Sequence, residues 1–534
     1  MKEIALRKGV DLLLVDSGDL HDGTGLSDGY GPGGVDAHDS NGFIAQLPYD
    51  VMAIGNHELY DYVNTYDMHT NFVPKLNGRY LSSNANITVY DKNNNSVSVP
   101  VGDRYAKFKT LRGRKVTALG VLFDFTGNDV NTTVQKVEDM VKEAWFADAI
   151  RDEPDFFLLA GHMPVARDKW PVVFDAVRAV HPHTPILILG GHTHIRDCNQ
   201  PDGRSMALES GRYMETVGWM SVNLDKPGST GNLTFTRRYL DPNRVTYQYH
   251  TSTSNSTFDT AQGTAITQGL LDLAQKYDLS YQYGVAPHDF TISQAPYPSE
   301  NSSLSLFIQK AAPVALTINN TRAGIPNIMI TNSGSQRFDV YAGPFTKNDQ
   351  LTASPYTNAF VYIPNVTYGI ASQVLPTMNK AGAEQRKREL LEEWEGELYG
   401  KGEVAMVYRR WLREMDEVAK REVGRREAVN GTLGYVTHDS CPGIGDDTYH
   451  TPLAYYDTPD FIGSDAPANI SASDPIDLVF VSFNADQVLE TLNALQTEKN
   501  YTRADMSSYT PILSNEVLGL YAERAWNSSS GSSH

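Results

Sequence analysis

Four apolar runs, each followed directly by glycine and then by an aspartate, asparagine or histidine, constrain the fold of this chain most strongly. The motifs that follow the runs are Gly18-Asp19, Gly55-Asn56-His57, Gly161-His162 and Gly190-Gly191-His192-Thr193-His194. A short aliphatic run bounded by glycine is typical of a buried strand, and open α/β sheets carry ligand sites at the carboxyl ends of their strands. Carboxylate, amide oxygen and imidazole together suit a divalent ion such as Zn, Mn or Fe. The four motifs therefore predict an α/β fold with a metal site.

The length and the charge of the chain bound its organisation and its partners. A chain of 534 residues favours two domains. Its formal net charge of −19 argues against a nucleic-acid partner, because binding a phosphate backbone needs a basic surface. The same charge does not exclude a small phosphate ester, which a local pair of metal ions can hold. No apolar run approaches the length of a membrane span.

Glycosylation sequons give an indication of the compartment. The Asn-X-Ser/Thr pattern occurs at Asn86, Asn94, Asn131, Asn232, Asn255, Asn301, Asn319, Asn365, Asn430, Asn469, Asn500 and Asn527. Their number favours a glycoprotein of the secretory route, vacuolar or secreted, over unused sequons in a cytosolic protein. The two cysteines, Cys198 and Cys441, leave open whether they form a disulfide.

The four motifs and the strings around them resemble a known superfamily. GD, GNHE, GH and GGHTH, in this order, resemble the calcineurin-like metallophosphoesterases. The longer strings LLLVDSGDLHDGTGLSD, GGHTHIRDC and LESGRYMETVGWMS resemble its 5'-nucleotidase-like branch, and within it a fungal group associated with the vacuole. The resemblance implies an α/β protein of two domains. The first is a metallophosphoesterase β-sandwich flanked by helices in a four-layer αββα arrangement, and the second is a 5'-nucleotidase-like α/β domain.

The resemblance and the composition together predict the domain boundaries. Residues 1–250 are expected to form the metallophosphoesterase domain, residues 251–280 a helical linker, and residues 281–534 the substrate domain. Within the substrate domain, charged side chains are concentrated in residues 378–428. This composition predicts an inserted charged surface helix or helix pair.

The resemblance also implies the roles of individual residues in a site with two divalent metal ions. The implied ligands are Asp19, which bridges the two ions, Asn56, His162 and His192 for the second ion, and His194 for the first. His57 is expected to stabilise the transition state or to protonate the leaving oxygen. A carboxylate is expected to orient His57 for this task, and the sequence leaves open whether Glu58 or Asp61 supplies it.

The family takes two further ligands of the first metal from an Asp-X-His motif that precedes the GD motif. This chain has no such motif before Gly18. The similar Asp36-Ala37-His38 follows GD instead and is interpreted as part of a loop insertion. We therefore expect a chain that lacks the N-terminal segment of the family, including any signal peptide, and that is weakly active or inactive, whereas its parent protein is active.

Two residues of the second domain are candidates for substrate binding. Arg337 lies in a string that resembles Asn-X-Gly-Gly-X-Arg of the 5'-nucleotidases, whose arginine contacts the substrate. A structural pair with Asp339 is the alternative. Tyr356 stands where the family stacks a phenylalanine on the base, and a tyrosine ring stacks equally well, although a core position is also open. The family's Gly-Gly-Asp-Gly-Tyr string is missing, so other substrates stay open.

The function expected from the resemblance is the hydrolysis of nucleoside 5'-monophosphates by metal-activated water. A nucleotide sugar or another phosphoester is the alternative substrate. A non-catalytic metal-binding relative is an alternative of a different class, because the first metal motif is missing. The presence of His57, which has no metal-binding duty in the family, favours the enzyme.

Overall fold

The computed structural model describes residues 1–166, 168–226, 228–388, 408, 412, 439–448 and 454–527. The chain divides into two compact units. The first unit comprises Met1–His21, Pro32–Leu271 and Glu392–Pro452, and the second comprises Asp22–Gly31, Asp272–Leu391 and Leu453–His534. This division differs from the predicted boundaries, because residues 22–31 group with the second unit and residues 392–452 with the first. Most of the predicted charged insertion at 378–428 lies outside the described residues.

The strands of the first unit form two main sheets and two smaller ones. In chain order they are β1 (Val15–Asp16), β2 (Val51–Ala53), β3 (Tyr80–Leu81), β4 (Ala85–Tyr90), β5 (Ser96–Pro100), β6 (Tyr105–Lys109), β7 (Lys115–Leu122), β8 (Thr132–Val134), β9 (Phe156–His162), β10 (Ile186–Leu189), β11 (Arg196–Asn199), β12 (Ser205–Ser210), β13 (Val217–Val222) and β14 (Phe235–Leu240). One main sheet has the parallel order β1-β2-β3, and the other has the order β11-β12-β10-β9-β7-β6. The two smaller sheets have the orders β5-β4-β8 and β13-β14.

The central strands of the first unit are buried on both faces, as their continuous apolar sequences predict. In β9, Phe156 and Leu158 pack in one apolar cluster with Val51 of β2. The alternate residues of β9 pack in a second cluster that includes Val173 and Val177 of a helix. Because side chains alternate across a strand, β9 contacts the other main sheet on one face and helices on the other.

The helices of the first unit are short. They are Lys2–Arg7, His38–Ile44, Tyr62–Asp67, Val137–Met140, Ala144–Ile150, Trp170–Val180, Arg244–Thr251 and Ala261–Lys276, with a π-helical segment at Met68–Phe72 and 3-10 turns at His57–Leu59 and Val73–Leu76. The helix Ala261–Lys276 contains the boundary between the two units. It lies within the region that was predicted as a helical linker.

A disulfide attaches residues 439–448 to the first unit. Cys198 of β11 bonds to Cys441, with the two Cα atoms 5.6 Å apart. The Arg237 guanidinium forms a buried ion pair with Asp439, and Arg196 forms a second one with Asp446. These contacts explain why this segment groups with the first unit although the sequence places it in the second half of the chain.

The second unit is built on a five-stranded sheet. Its strands are β15 (Gln282–Ala286), β16 (Asn327–Asn332), β17 (Gly343–Thr346), β18 (Ala359–Thr367), β19 (Phe461–Gly463), β20 (Pro475–Val481) and β21 (Ser507–Leu513). The main sheet has the order β19-β16-β20-β18-β21, and β15 pairs with β17 separately. One face of β20 packs with Val374 and Val488 of two helices, and the other packs in a cluster that includes Phe307.

The helices of the second unit lie on both sides of this sheet in sequence order. They are Gly25–Asp28, Ser303–Ser305, Ala312–Ala315, Lys347–Ala353, Tyr368–Arg388, Ala485–Leu495 and Val517–Ala525, with a π-helical segment at Leu306–Ala311 and 3-10 turns at Ser333–Ser335, Ser482–Asn484, Arg503–Asp505 and Ser514–Glu516. Among the described residues of both units, no helix combines the length and the apolar character that crossing a membrane requires.

Candidate metal centre

Asp19 lies in the loop that follows β1, in a backbone conformation that side chains rarely adopt. Its φ is 64°, and the preceding Gly18 has a φ of 101°. The loop is fixed from the other main motif, because the His57 N–H donates to Asp19 Oδ1 at 3.0 Å. Burial opposes ionisation of the Asp19 carboxyl, but the His162 and His57 imidazoles outweigh it and hold the Asp19 pKa below its usual range. Asp19 is therefore an anionic ligand in a buried position.

His162 ends β9 and is oriented by a backbone hydrogen bond. Its Nδ1 lies 2.9 Å from the Ser17 carbonyl oxygen, which accepts the Nδ1 proton. The opposite ring atom, Nε2, lies 2.8 Å from Asp19 Oδ2. A carbonyl behind the ring fixes the tautomer that presents Nε2 as a ligand. Burial lowers the pKa of His162, but the neighbouring Asp19 carboxylate raises it by more.

His192 completes a compact group of three ligands. It follows β10 with a φ of 83°, and its ring stacks on Phe123 with the ring centroids 3.9 Å apart. The ligand atoms of Asp19, His162 and His192 all lie within 4.8 Å of one another. These three predicted ligands come from three separate loops, and the fold brings them together.

Asn56 supports the assignment of this group as a metal centre. The residue is buried, and its Nδ2 donates to the Tyr60 hydroxyl at 3.1 Å. Its Oδ1 is buried without a hydrogen-bond partner among the residues that the structure describes. An unsatisfied buried carbonyl oxygen is costly unless it has a partner such as an ion. The donor set of Asp19, Asn56, His162 and His192 therefore fits a divalent metal ion.

His194, the ligand predicted for the first metal, lies outside this compact group of three. It has a φ of 63°, and its ring lies beside Tyr213, with the centroids 5.5 Å apart. A second ring, Tyr408, lies 6.4 Å from it. The predicted alternative ligand His38 lies at the start of a helix, where its Nδ1 is 2.8 Å from Asp67 Oδ1.

His57 stands next to the same carboxylate. Its Nε2 is 3.8 Å from Asp19 Oδ2, and its ring makes an edge contact with Tyr60 at 5.0 Å. Asp61, the predicted orienting residue, accepts the Val63 N–H at the N-terminus of helix Tyr62–Asp67. Its catalytic role stays a prediction.

Glu58 has a different position from the one that the sequence suggested as an alternative. It is fully buried, and it accepts the Gly55 N–H at 2.6 Å and the Asp19 N–H at 3.1 Å. It also accepts the Leu20 N–H at 2.5 Å and contacts His21 Nδ1 at 3.0 Å. Glu58 thus joins the loop of Asp19 to the loop of Asn56.

Glu209 is a supporting residue to which the sequence assigned no role. It lies on β12, and it is buried. Its Oε1 accepts the Thr193 N–H at 3.0 Å and also accepts the Thr193 hydroxyl. Burial raises the pKa of the Glu209 carboxyl well above its usual value. Thr193 separates His192 from His194, so Glu209 positions the loop that carries both. Its place in the LESG string was the only signal in the sequence.

The two candidate substrate residues lie together in the second unit. The Arg337 guanidinium carbon is 5.1 Å from the centroid of the Tyr356 ring, and both residues are half-buried. The Arg337 N–H donates to the Ala353 carbonyl at 2.8 Å. The Asp339 carboxylate accepts hydrogen bonds from the Ile292 N–H and the Gln294 side chain. The structure thus brings Arg337 onto the ring that the sequence singled out.

Two protein-family models match the chain, one in each half. Residues 1–196 match the family described as calcineurin-like phosphoesterase. Residues 289–511 match the family described as NAD nucleotidase, C-terminal domain. These matches confirm the resemblance that the four motifs predicted.

Relatives from fungi match over nearly the whole chain. An uncharacterized protein of Schizosaccharomyces pombe is 35% identical over 95% of this chain and 82% of its own length. A protein of Arthroderma benhamiae named as a secreted protein is also 35% identical, over 98% of this chain and 85% of its own length.

Among solved structures, a 5'-nucleotidase from Candida albicans superimposes with a TM-score of 0.83. It is 30% identical, and the match covers 98% of this chain and 91% of that chain. A 5'-nucleotidase precursor from Thermus thermophilus shares the fold at 15% identity, with a TM-score of 0.55 and coverage of 98% and 89%. The two-domain α/β architecture is thereby confirmed.

Proposed function

Because this chain belongs to the 5'-nucleotidase-like calcineurin-type metallophosphoesterases, we propose that it is a two-metal phosphohydrolase of nucleoside 5'-monophosphates. The observation that carries the proposal is the group of Asp19, His162 and His192, whose ligand atoms lie within 4.8 Å of one another. Zn, Mn and Fe all suit this donor set, and the small phosphate ester is the partner that the site would receive.

The residues around the group have separate tasks in this proposal. Asp19 bridges two ions, Asn56, His162 and His192 hold one of them, and His194 belongs to the other. Divalent ions in such sites lower the pKa of bound water and neutralise the charge on the phosphoryl oxygens. His57, whose Nε2 lies 3.8 Å from Asp19 Oδ2, donates a proton to the leaving oxygen. Its backbone N–H, held by Asp19, keeps this imidazole at the centre.

The nucleoside part of the substrate is assigned to the second unit. Arg337 and Tyr356 supply a guanidinium and an aromatic face at one place, which suits a sugar or phosphate oxygen and a base ring. A nucleotide sugar or another phosphoester remains the alternative substrate, because the Gly-Gly-Asp-Gly-Tyr string of the family is missing.

The surface supports a secretory route, vacuolar or secreted. Of the sequon asparagines that the structure describes, all except Asn86 are exposed, and Asn86 is half-buried. Exposed acceptors are a requirement for N-glycosylation. The Cys198–Cys441 disulfide is of the kind that persists in oxidising compartments. The Arthroderma relative is named as a secreted protein.

Phosphate release from a panel of nucleoside 5'-monophosphates and nucleotide sugars, with Mn or Zn added, tests the proposal. We expect release from the monophosphates and its loss in His192→Ala. The exposed His183→Ala, in the same unit, is the matched control and should keep the activity. Release from nucleotide sugars alone would replace the substrate. Metal binding without release from any ester would favour the non-catalytic alternative.

A further inference from the structure

A turn beside the metal centre carries a cation to which neither the family nor the mechanism above gives a task. Arg212 follows β12, the strand that pairs with β10 in parallel. The loop from β10 carries His192 and His194, so both loops leave the same edge of the sheet. Arg212 opens a tight turn in which Tyr213 and Met214 have φ values of 52° and 58°.

The Arg212 guanidinium is stacked between two aromatic rings. Its central carbon lies 4.9 Å from the Tyr213 ring centroid and 4.0 Å from the Tyr408 ring centroid. The same two rings contact His194, at 5.5 Å and 6.4 Å between centroids. All three neighbours belong to the first unit. The rings therefore hold the cation next to a predicted ligand of the first metal.

The N–H groups of this guanidinium have no acceptor within the described part of the chain. The printed contacts of Arg212 are the two ring contacts and a hydrogen bond from its backbone N–H to Glu215 Oε1. The nearby Arg196 is different, because it is paired with Asp446 at 3.0 Å. Stacking covers the faces of a guanidinium and leaves its edge, with the forked donors, available to a planar anion or a phosphate.

An unpaired arginine beside the site is notable in a protein with a net charge of −19. We propose that Arg212 is an anion-binding residue that donates hydrogen bonds to a phosphate oxygen of the substrate on the His194 side of the centre. The two tyrosine rings limit its rotamers, which reduces the entropy lost on binding. This inference rests on the proposed phosphohydrolase function, and it deepens it by adding a substrate contact from the first unit.

Equilibrium binding of inorganic phosphate to the Mn-loaded full chain tests the inference without turnover. Since a hydrogen bond to a charged group contributes about 1.5–3 kcal/mol, the Kd for phosphate should rise roughly 10- to 100-fold in Arg212→Met. Arg212→Lys keeps the charge without the planar fork and should lie in between. Arg244→Met, which removes an exposed arginine paired with Asp259, is the matched control and should leave the Kd unchanged.

Metal binding and kinetics separate this role from a structural one. In Arg212→Met we expect unchanged Mn affinity and a raised KM for ribose 5-phosphate, with a smaller change in kcat. A loss of Mn affinity would mean that Arg212 merely supports His194, and an unchanged Kd for phosphate would also overturn the inference. If the wild type binds phosphate through Arg212 but hydrolyses no ester, the proposed function fails and the anion site stands.

Discussion

Gly55 and Asp19 lie so close that a Cβ atom on Gly55 would overlap the Asp19 carboxylate. The same Cβ would also overlap the Asp19 backbone nitrogen. The loop after β2 and the loop after β1 are therefore packed without space for a side chain at this point. A glycine here is required for the close approach of the two backbones rather than for its own backbone conformation.

We expect Gly55→Ala to displace Asp19 and to lower phosphate release by about 100-fold, since a displacement of roughly 1 Å in a catalytic group has that effect. Metal content measured on the purified variant should fall in parallel. Gly42→Ala, in helix His38–Ile44, is the control because a Cβ there meets no atom within 4 Å. Wild-type metal content and activity in Gly55→Ala would contradict the assignment of Asp19 as the bridging ligand.

Tyr356 is expected to act through its ring rather than its hydroxyl. Stacking of a base on an aromatic side chain contributes about 1–3 kcal/mol, so Tyr356→Ala should raise the KM for a nucleoside monophosphate roughly tenfold. Tyr356→Phe should keep the wild-type KM. The KM for ribose 5-phosphate, which has no base, should not change in either variant. An equal change for both substrates would show that Tyr356 supports the fold of the second unit instead.

The disulfide between Cys198 and Cys441 is expected to stabilise the first unit. The cysteines are separated by 243 residues, and removal of a native disulfide typically costs about 2–5 kcal/mol. A reducing agent should therefore lower the Tm of the wild type in thermal unfolding followed by circular dichroism. The double variant Cys198→Ala/Cys441→Ala should have the lower Tm from the start and should not respond to the reductant. A wild-type Tm that ignores complete reduction would contradict this expectation.

Asp168 gives the stability of the first unit a predicted pH dependence. Burial raises the pKa of Asp168 from 3.8 to about 7, with a further contribution from Asp124 and Glu138 and opposition from Lys169. Between these two pH values the unfolded chain has lost the proton that the folded chain keeps. The unfolded state then binds fewer protons, so the free energy of unfolding falls as the pH rises through this window.

Asp168→Asn removes this dependence. Because each unit of difference between folded and unfolded pKa corresponds to about 1.4 kcal/mol, the variant should gain up to a few kcal/mol relative to the wild type between about pH 4 and pH 7. Urea unfolding at both ends of the window measures the difference. The exposed Asp175→Asn is the control. A constant difference between variant and wild type across the window would show that Asp168 is ionised in the folded protein.

The sequence alone determined the parts of this protein that depend on local order. Strand, glycine and ligand follow one another within a few residues, so Asp19, Asn56, His162 and His192 were identifiable before any contact was known. The same strings indicated the family, and with it the two-domain α/β architecture. The number of sequons likewise needs no structure.

Only the tertiary structure decided the relations between distant residues. It paired Cys198 with Cys441 and drew Asp439 and Asp446 onto buried arginines of the first unit. It turned Glu58 toward two loops at once and stacked Arg212 between Tyr213 and Tyr408. Such positions are set by the packing of segments far apart in the chain, which no local pattern of residues encodes.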